Sequence, residues 1–122
     1  MAGILAGRHQ VTISGNEYDI LPHPSTEGLT IVLKIGSYLD LDMTDSMKVI
    51  SSICIKSLKE DPKLTFLMDL LKYTQLKGKT LNRELFDEHF AGNYKEMLQV
   101  ITEVFKANRF LEAMNDIGDL IS

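Results

Sequence analysis

Apolar residues recur at intervals of three and four between Leu85 and Phe110, which places them on one side of an α-helix. The stripe consists of Tyr94, Met97, Leu98, Ile101, Val104 and Phe105. The intervening positions are polar: Lys95, Glu96, Gln99, Thr102, Glu103 and Lys106. Gly92 permits a sharp turn ahead of the stripe, and Asn93 and Glu96 have the spacing of a capping box. The pattern predicts a long amphipathic helix that begins after Asn93.

Near the amino terminus, apolar and polar residues alternate instead, which is typical of β-strands. Val11 and Ile13 lie in one alternating segment, and Tyr18 and Ile20 lie in the next. Residues 14–16, Ser-Gly-Asn, separate the two segments and are typical of tight turns. Residues 10–21 are therefore predicted to form a β-hairpin. Because an isolated hairpin is marginally stable in water, we expect it to pack on helices or to extend a sheet in a partner subunit.

The middle of the chain carries three more helical patterns. A helix capped by Ser25 or Thr26 after Pro24 is predicted to bury a broad face; that face comprises Leu29, Val32, Leu33, Ile35 and Leu39. The stripe of the second helix comprises Met47, Ile50, Ile53, Cys54 and Leu58. Asp61 and Pro62 are typical of the start of a third helix, and residues 77–80, Lys-Gly-Lys-Thr, are predicted to be a polar loop.

These patterns predict a mainly α protein: a small helical domain of four or five helices with an N-terminal β-hairpin. The helical core is assigned to residues 25–110. Residues 111–122 form an apolar tail, and its apolar residues keep helical spacing: Leu111, Met114, Ile117, Leu120 and Ile121. Two interpretations of the tail stay open. Either the long helix continues and packs internally, or part of the tail is a docking helix for another chain.

Composition narrows the class of protein. With 122 residues, 44% apolar and 25% charged, the chain is predicted to be a single globular domain spanning residues 1–122. Its net charge of −4 and the lack of a basic cluster argue against nucleic-acid binding. The longest apolar stretch is far shorter than the roughly 20 residues of a membrane span, and the first ten residues do not fit a secretory signal. We therefore expect a soluble cytoplasmic protein.

Fragments that imitate catalytic or ligand motifs are incomplete. Residues 78–80, Gly-Lys-Thr, match the end of a P-loop but lack its opening glycine. Residues 40–51 imitate a calcium-binding loop, yet Asp45 stands where the glycine is required. The three histidines and the single Cys54 do not have zinc-site spacing, and Asp87, Glu88 and His89 point in different directions on a helix. The sequence predicts no enzyme activity, no cofactor and no metal.

Two stretches carry a family resemblance. Residues 86–100, FDEHFAGNYKEMLQV, and the helix that closes on residues 108–110 resemble the C-terminal half of the tail assembly chaperones of tailed bacteriophages. The hairpin VTISGNEYDI followed by LPHPSTEGLTIVLKIGSYL is similar to the opening of many such phage proteins. The resemblance implies a non-enzymatic protein of the infected cell's cytoplasm. Such a protein coats the tape measure protein, recruits tail tube subunits and is absent from the mature virion.

The resemblance also implies self-association and a longer form made by translational frameshifting. Core packing is the expected role for most aromatic residues near the long helix. Phe86 and Phe90 lie on a short segment that Gly92 separates from that helix, which makes them candidates for lining a surface groove. The candidate partner-binding residues are Phe86, Phe90, Tyr94, Phe110, Met114 and Ile117.

Two alternatives of other classes stay open. One is a small helical phage regulator or adaptor that binds DNA or another protein, and retention of duplex DNA in a gel shift at moderate salt would favour it. The other is a structural tail completion protein, which would be found in purified virions.

Overall fold

A computed structural model describes residues 9–38, 46–61 and 64–114. The strands are β1 (His9–Ile13), β2 (Asn16–Ile20), β3 (Thr74–Leu76) and β4 (Lys79–Thr80). The helices are α1 (Ser25–Tyr38), α2 (Ser46–Glu60), α3 (Thr65–Leu70), α4 (Arg83–His89) and α5 (Tyr94–Asn108). Residues 110–114 are also helical. The mainly α class is confirmed. Within the described ranges there are five named helices and this short further helical segment, whereas four or five helices were predicted.

The strands form one antiparallel sheet in the order β1-β2-β3-β4. The predicted hairpin is its first half, with Val11 opposite Tyr18. The second half of the sheet, β3 and β4, was not predicted, because residues 77–80 were expected to form a polar loop. Residues 77 and 78 instead turn the chain between β3 and β4, and β3 pairs with β2 through Tyr18 and Leu76. The region assigned to the helical core therefore contains two strands.

The two hairpins use the same turn chemistry. Ser14 and Gly15 have φ of 52° and 83°, and Lys77 and Gly78 have φ of 51° and 82°. Positive φ at both central residues is typical of the type I′ turn, whose twist matches that of the flanking strands. Glycine adopts this conformation without steric cost, whereas Ser14 and Lys77 adopt it against their ordinary preference. Both turns have two residues, which fixes the register of both strand pairs.

A helix forms after Pro24 where one was predicted, but Ser25 is the first residue of α1 rather than the cap ahead of it, because the Gly28 N–H already donates to the Pro24 carbonyl at 2.8 Å. Its buried side is narrower than predicted, because Ile31, Val32 and Ile35 are buried while Leu29 and Leu33 are exposed to 52% and 61%. The prediction that Leu29 and Leu33 are buried is therefore wrong. Leu39 lies outside the described residues.

Helices α2 and α3 follow their predictions in part. Ile50, Ile53 and Cys54 of α2 are buried, but Leu58 is exposed. Helix α3 begins at Thr65 rather than at Pro62, because Leu64 takes the left-handed conformation with φ of 63°. A left-handed residue cannot continue a right-handed helix. Residues 62 and 63 lie outside the described part of the chain.

Helix α5 begins after Asn93 as predicted, with Gly92 at a positive φ of 70°. The predicted capping box does not form: the Asn93 side chain accepts no bond from the helix, and its Nδ2 donates to Glu96 at 3.1 Å. Arg109 at φ of 54° ends α5, so the long helix does not run uninterrupted into the tail. Residues 115–122 lie outside the described residues.

One hydrophobic core joins the sheet to the helices. It contains Tyr18 and Ile20 from β2, with buried residues of α1, α2, α3 and α5. Helix α5 packs on α2 and on the first two strands. His23 fastens the segment between β2 and α1, since its backbone N–H donates to Asn108 Oδ1 at 2.8 Å and its Nε2 contacts the Asp69 carbonyl at 2.8 Å. The N-terminal end of α1 is thereby fixed to both α3 and α5.

Candidate functional site

The five predicted partner-binding residues that the structure describes are not gathered on one surface. The rings of Phe86 and Phe90 pack against each other with their centroids 5.3 Å apart. Both side chains are buried, and Phe90 is only 3% exposed. Phe110 is also buried and contacts the Phe105 ring at 5.7 Å. Because these three rings fill the core, the described fold offers no groove lined by Phe86 and Phe90.

The other three candidates differ among themselves. Tyr94 at the start of α5 is 67% exposed and is the most accessible of the described candidates. Met114 is partly buried and packs against the core. Ile117 lies outside the described residues. Of the predicted set, Tyr94 alone among the described residues keeps a largely free side chain.

Sequence patterns placed Glu96 on the polar side of α5, but its side chain is 1% exposed. Its carboxylate collects hydrogen bonds from both hairpin and helix. Oε2 accepts from the Tyr18 hydroxyl and from Asn16 Nδ2 at 2.9 Å, and it lies 2.9 Å from His89 Nε2. Oε1 accepts from Asn93 Nδ2 at 3.1 Å. We call these five residues the Glu96 cluster: Asn16, Tyr18, His89, Asn93 and Glu96.

The hydrogen bonds of the Glu96 cluster determine whether the Glu96 carboxyl group is protonated. Burial by itself raises the pKa of Glu96, but the bonds from Tyr18, His89, Asn16 and Asn93 outweigh burial and lower that pKa to about 2. The carboxylate is therefore ionised and can only accept hydrogen bonds, so His89 Nε2 is the donor in its contact with Oε2. Burial, followed by the bond to Glu96 and its charge, raises the pKa of Tyr18 above its ordinary value.

This arrangement fits a structural clamp. The cluster joins β2, the end of α4 and the first turn of α5 through one buried charge whose partners all donate to it. Asp87 and Glu88, which directly precede His89 in sequence, are exposed instead. Asp87 pairs with Arg83 at 3.1 Å. His89 thus separates from its acidic neighbours, as expected for adjacent residues of a helix.

Other reactive groups are also placed by the structure. Cys54 is buried, and burial raises the pKa of its thiol to about 12, which keeps it protonated. His9 of β1 pairs with Glu103 of α5 at 2.8 Å. In residues 9–38, 46–61 and 64–114, no group of three His, Cys, Asp or Glu side chains is placed to hold a metal ion.

Accessible apolar side chains concentrate on α1 and α2. Leu29 and Leu33 are exposed on α1, and Ile55 and Leu58 are exposed on α2, the helix that packs against it. Ordinary helices present charged and polar residues to water. A contiguous apolar patch on a protein surface can mark a contact with another protein. Among the described helices, none has the length and apolar content needed to cross a membrane.

A comparison with protein families identifies the chain. A sequence model described as "phage tail assembly chaperone protein, TAC" matches residues 14–110, from the turn of the first hairpin to Phe110. The chain therefore belongs to the phage tail assembly chaperone family. This match confirms the resemblance noted in the sequence. Comparisons with curated proteins and with solved structures gave no match.

Proposed function

We propose that this chain is a non-enzymatic tail assembly chaperone that binds the tape measure protein of its phage and recruits tail tube subunits to it. The proposal is supported chiefly by the family match over residues 14–110. We further propose that it acts in the cytoplasm of the infected host, associates with copies of itself and is absent from the finished virion.

Physical features are consistent with this role. A tape measure protein is a long helical client, and helical clients expose apolar stripes that aggregate in water. The chain offers apolar side chains of its own on α1 and α2, and its net charge of −4 favours solubility. The helices that carry these exposed residues pack on the same hydrophobic core as the sheet.

Co-expression tests the client. The tape measure protein of the same phage is produced in bacteria alone, with this chain, and with an unrelated acidic protein of similar size. We expect the tape measure protein to be soluble and to copurify only with this chain. Equal precipitation in all three cultures would contradict the proposal.

Two further measurements test the rest. Tail tube protein should bind the purified complex of chaperone and tape measure protein more tightly than it binds either component. Mass spectrometry of purified virions should detect the tape measure and tube proteins without this chain. Its presence in virions at a fixed stoichiometry would identify it as a tail component instead.

A further inference from the structure

The first strand, β1, lies at one edge of the sheet. In the part of the chain that the structure describes, β1 pairs with β2 alone. Thr12 of β1 lies opposite Glu17, whose carbonyl accepts from the Lys77 N–H at 3.1 Å and therefore points toward β3. Opposite residues of an antiparallel pair direct their backbone groups either toward each other or away from each other. The N–H and C=O groups of Thr12 and of Gln10, two residues earlier, therefore point away from β2.

The two edges of the sheet differ in how they are protected against pairing. Natural edge strands avoid other chains by being short, by carrying lysine or proline, or by forming a bulge. The opposite edge strand, β4, has only two residues and carries Lys79. By contrast, β1 has five residues, HQVTI, which include no lysine or proline and pair with β2 in an unbroken register. This edge is therefore the one at which the sheet can be extended.

We propose that β1 is a dimer interface, in which it pairs antiparallel with β1 of a second copy around a two-fold axis at Val11. This register pairs the strand with itself over its whole length, from His9 to Ile13. Gln10 then lies opposite Thr12 of the second copy, and their outward N–H and C=O groups form four hydrogen bonds between the copies. This interface rests on the self-association proposed above and specifies its surface.

The position of α5 fits this arrangement. Helix α5 packs on β1 and β2, with Glu103 contacting His9 at one end of the hairpin and Glu96 held near the turn at the other. Gln99 is midway between these contacts and lies nearest the level of Val11. Because neighbouring strands are about 4.8 Å apart, the two-fold axis places α5 and its copy antiparallel at about 10 Å, an ordinary distance for packed helices.

The side of α5 that faces its copy has a self-complementary charge pattern. Lys95, Gln99 and Glu103 follow one another at steps of four, on the side where Glu103 contacts β1. Since the axis passes near Gln99 and the helices run antiparallel, Lys95 of each copy faces Glu103 of the other. Lys106 pairs with Glu103 of its own chain at 3.6 Å and faces the uncharged Gly92 of the second copy. Opposite charges therefore meet at both ends of the helix pair.

The other face of the sheet brings no like charges close together. The residues of β1 on that face are Gln10 and Thr12, which are uncharged. The carboxylates of Glu17 and Asp19 lie on β2. Three strand spacings, about 14 Å, separate β2 from its copy, which exceeds the Debye length of about 8 Å at physiological salt. Because both the strand edge and the charges of α5 match a copy of themselves, we assign the edge to a second copy.

Thr12→Pro tests the strand pairing. Proline has no N–H, and the N–H of Thr12 points away from β2, so the hairpin keeps its own hydrogen bonds while two of the four bonds between copies are lost. Sedimentation velocity over a concentration series should show a wild-type dimer and a dissociation constant at least about tenfold higher for Thr12→Pro. Thr80→Pro is the matched control, because it makes the same change on the outer side of β4 and should leave this constant unchanged. Circular dichroism melts show whether both variants are folded.

Charge exchange on α5 tests the register without a proline. Lys95→Glu alone, or Glu103→Lys alone, brings like charges together and should raise the dissociation constant about tenfold at low salt. The double variant restores opposite charges and should return the constant to within about threefold of the wild type. Residues 95 and 103 are about 12 Å apart along one helix, so this rescue reports a contact between copies.

The outcomes separate the β1 interface from the rest of the proposed function. A wild type that stays monomeric up to about 100 μM overturns both the interface and the proposed self-association, while co-expression still decides client binding. A dimer that Thr12→Pro leaves intact overturns the interface alone, and failure of the double charge variant to rescue overturns the register at Val11. A monomer that loses copurification with the tape measure protein in Thr12→Pro, but not in Thr80→Pro, also overturns the dimer, because the edge then binds the client.

Discussion

The hydroxyl group of Tyr18 on β2 donates a hydrogen bond to the carboxylate of Glu96 on α5, across 78 positions of the sequence. Asn16 donates to the same carboxylate, so a single side chain fixes two residues of the second strand to the first turn of the helix. A buried charge is tolerated in a protein only when donors surround it. Here the donors come from the hairpin, α4 and the residue before α5, so Glu96 contributes to holding the hairpin against α5.

Glu96→Gln tests this attachment. The glutamine has nearly the same shape but no charge, and its NH₂ group faces donors rather than acceptors. We expect the free energy of unfolding to fall by about 2 kcal/mol in urea denaturation. Glu88→Gln removes an exposed carboxylate of α4 and should leave the urea midpoint unchanged. Equal midpoints for Glu96→Gln and the wild type would show that the cluster does not stabilise the fold.

The cluster also predicts a pH dependence. The pKa of Glu96 is lowered from 4.5 to about 2 in the folded protein, so its contribution to stability is fully present above about pH 4.5. That contribution is lost as the pH falls toward 2, where the folded state also takes up the proton. The difference in unfolding free energy between the wild type and Glu96→Gln should therefore narrow from pH 4.5 to pH 2. A difference that stays constant over this range would contradict the assignment.

Two of the predicted partner-binding residues, Phe90 and Tyr94, differ in burial, so replacing each with alanine should affect stability differently. Phe90 is buried, so Phe90→Ala should lower the free energy of unfolding by about 3–5 kcal/mol. Tyr94 is exposed, so Tyr94→Ala should change it by no more than about 0.5 kcal/mol. Thermal unfolding followed by circular dichroism measures both. A small effect of Phe90→Ala would mean that the Phe86 and Phe90 rings are not part of the core.

The second hairpin offers a stabilising change. Lys77 has φ of 51°, a conformation that asparagine adopts more readily than lysine, and Asn-Gly is the preferred pair for a type I′ turn. Lys77→Asn should therefore raise stability by up to about 1 kcal/mol. Lys79→Asn makes the same substitution in β4, where asparagine is a poor strand former, and should not stabilise. Stabilisation by both variants, or by neither, would argue against this turn.

Local patterns in the sequence were sufficient for several parts of the fold. Alternation around residues 14–15 identified the first hairpin, and Gly92 with Asn93 located the start of α5. The second hairpin was missed because β3 and β4 have only three and two residues, too few to show alternation. One signal was present: the dipeptide Lys77-Gly78 stands between the strands as Ser14-Gly15 does in the first hairpin.

Features that depend on distant residues could not be predicted. Glu96 was placed on the polar side because it is charged, and the donors that make its burial tolerable include Tyr18, far away in the chain. Periodicity likewise identified Leu29 and Leu33 as apolar but did not reveal how much of the helix the rest of the protein covers. The burial of a side chain depends on the assembled structure, so the exposure of Leu29 and Leu33 could not be predicted from the pattern alone.

The pairing of β2 with β3 has a consequence for synthesis of the protein. Ile20 lies opposite Thr74, so α1, α2 and α3 are all inserted between two neighbouring strands. On the ribosome, residue 20 emerges well before residue 74, and the sheet cannot close until the later strand has followed. During that interval Leu29 and Leu33 of α1 have already left the exit tunnel, while the sheet is still incomplete. Helix α1 therefore leaves the ribosome before the sheet beside it is complete.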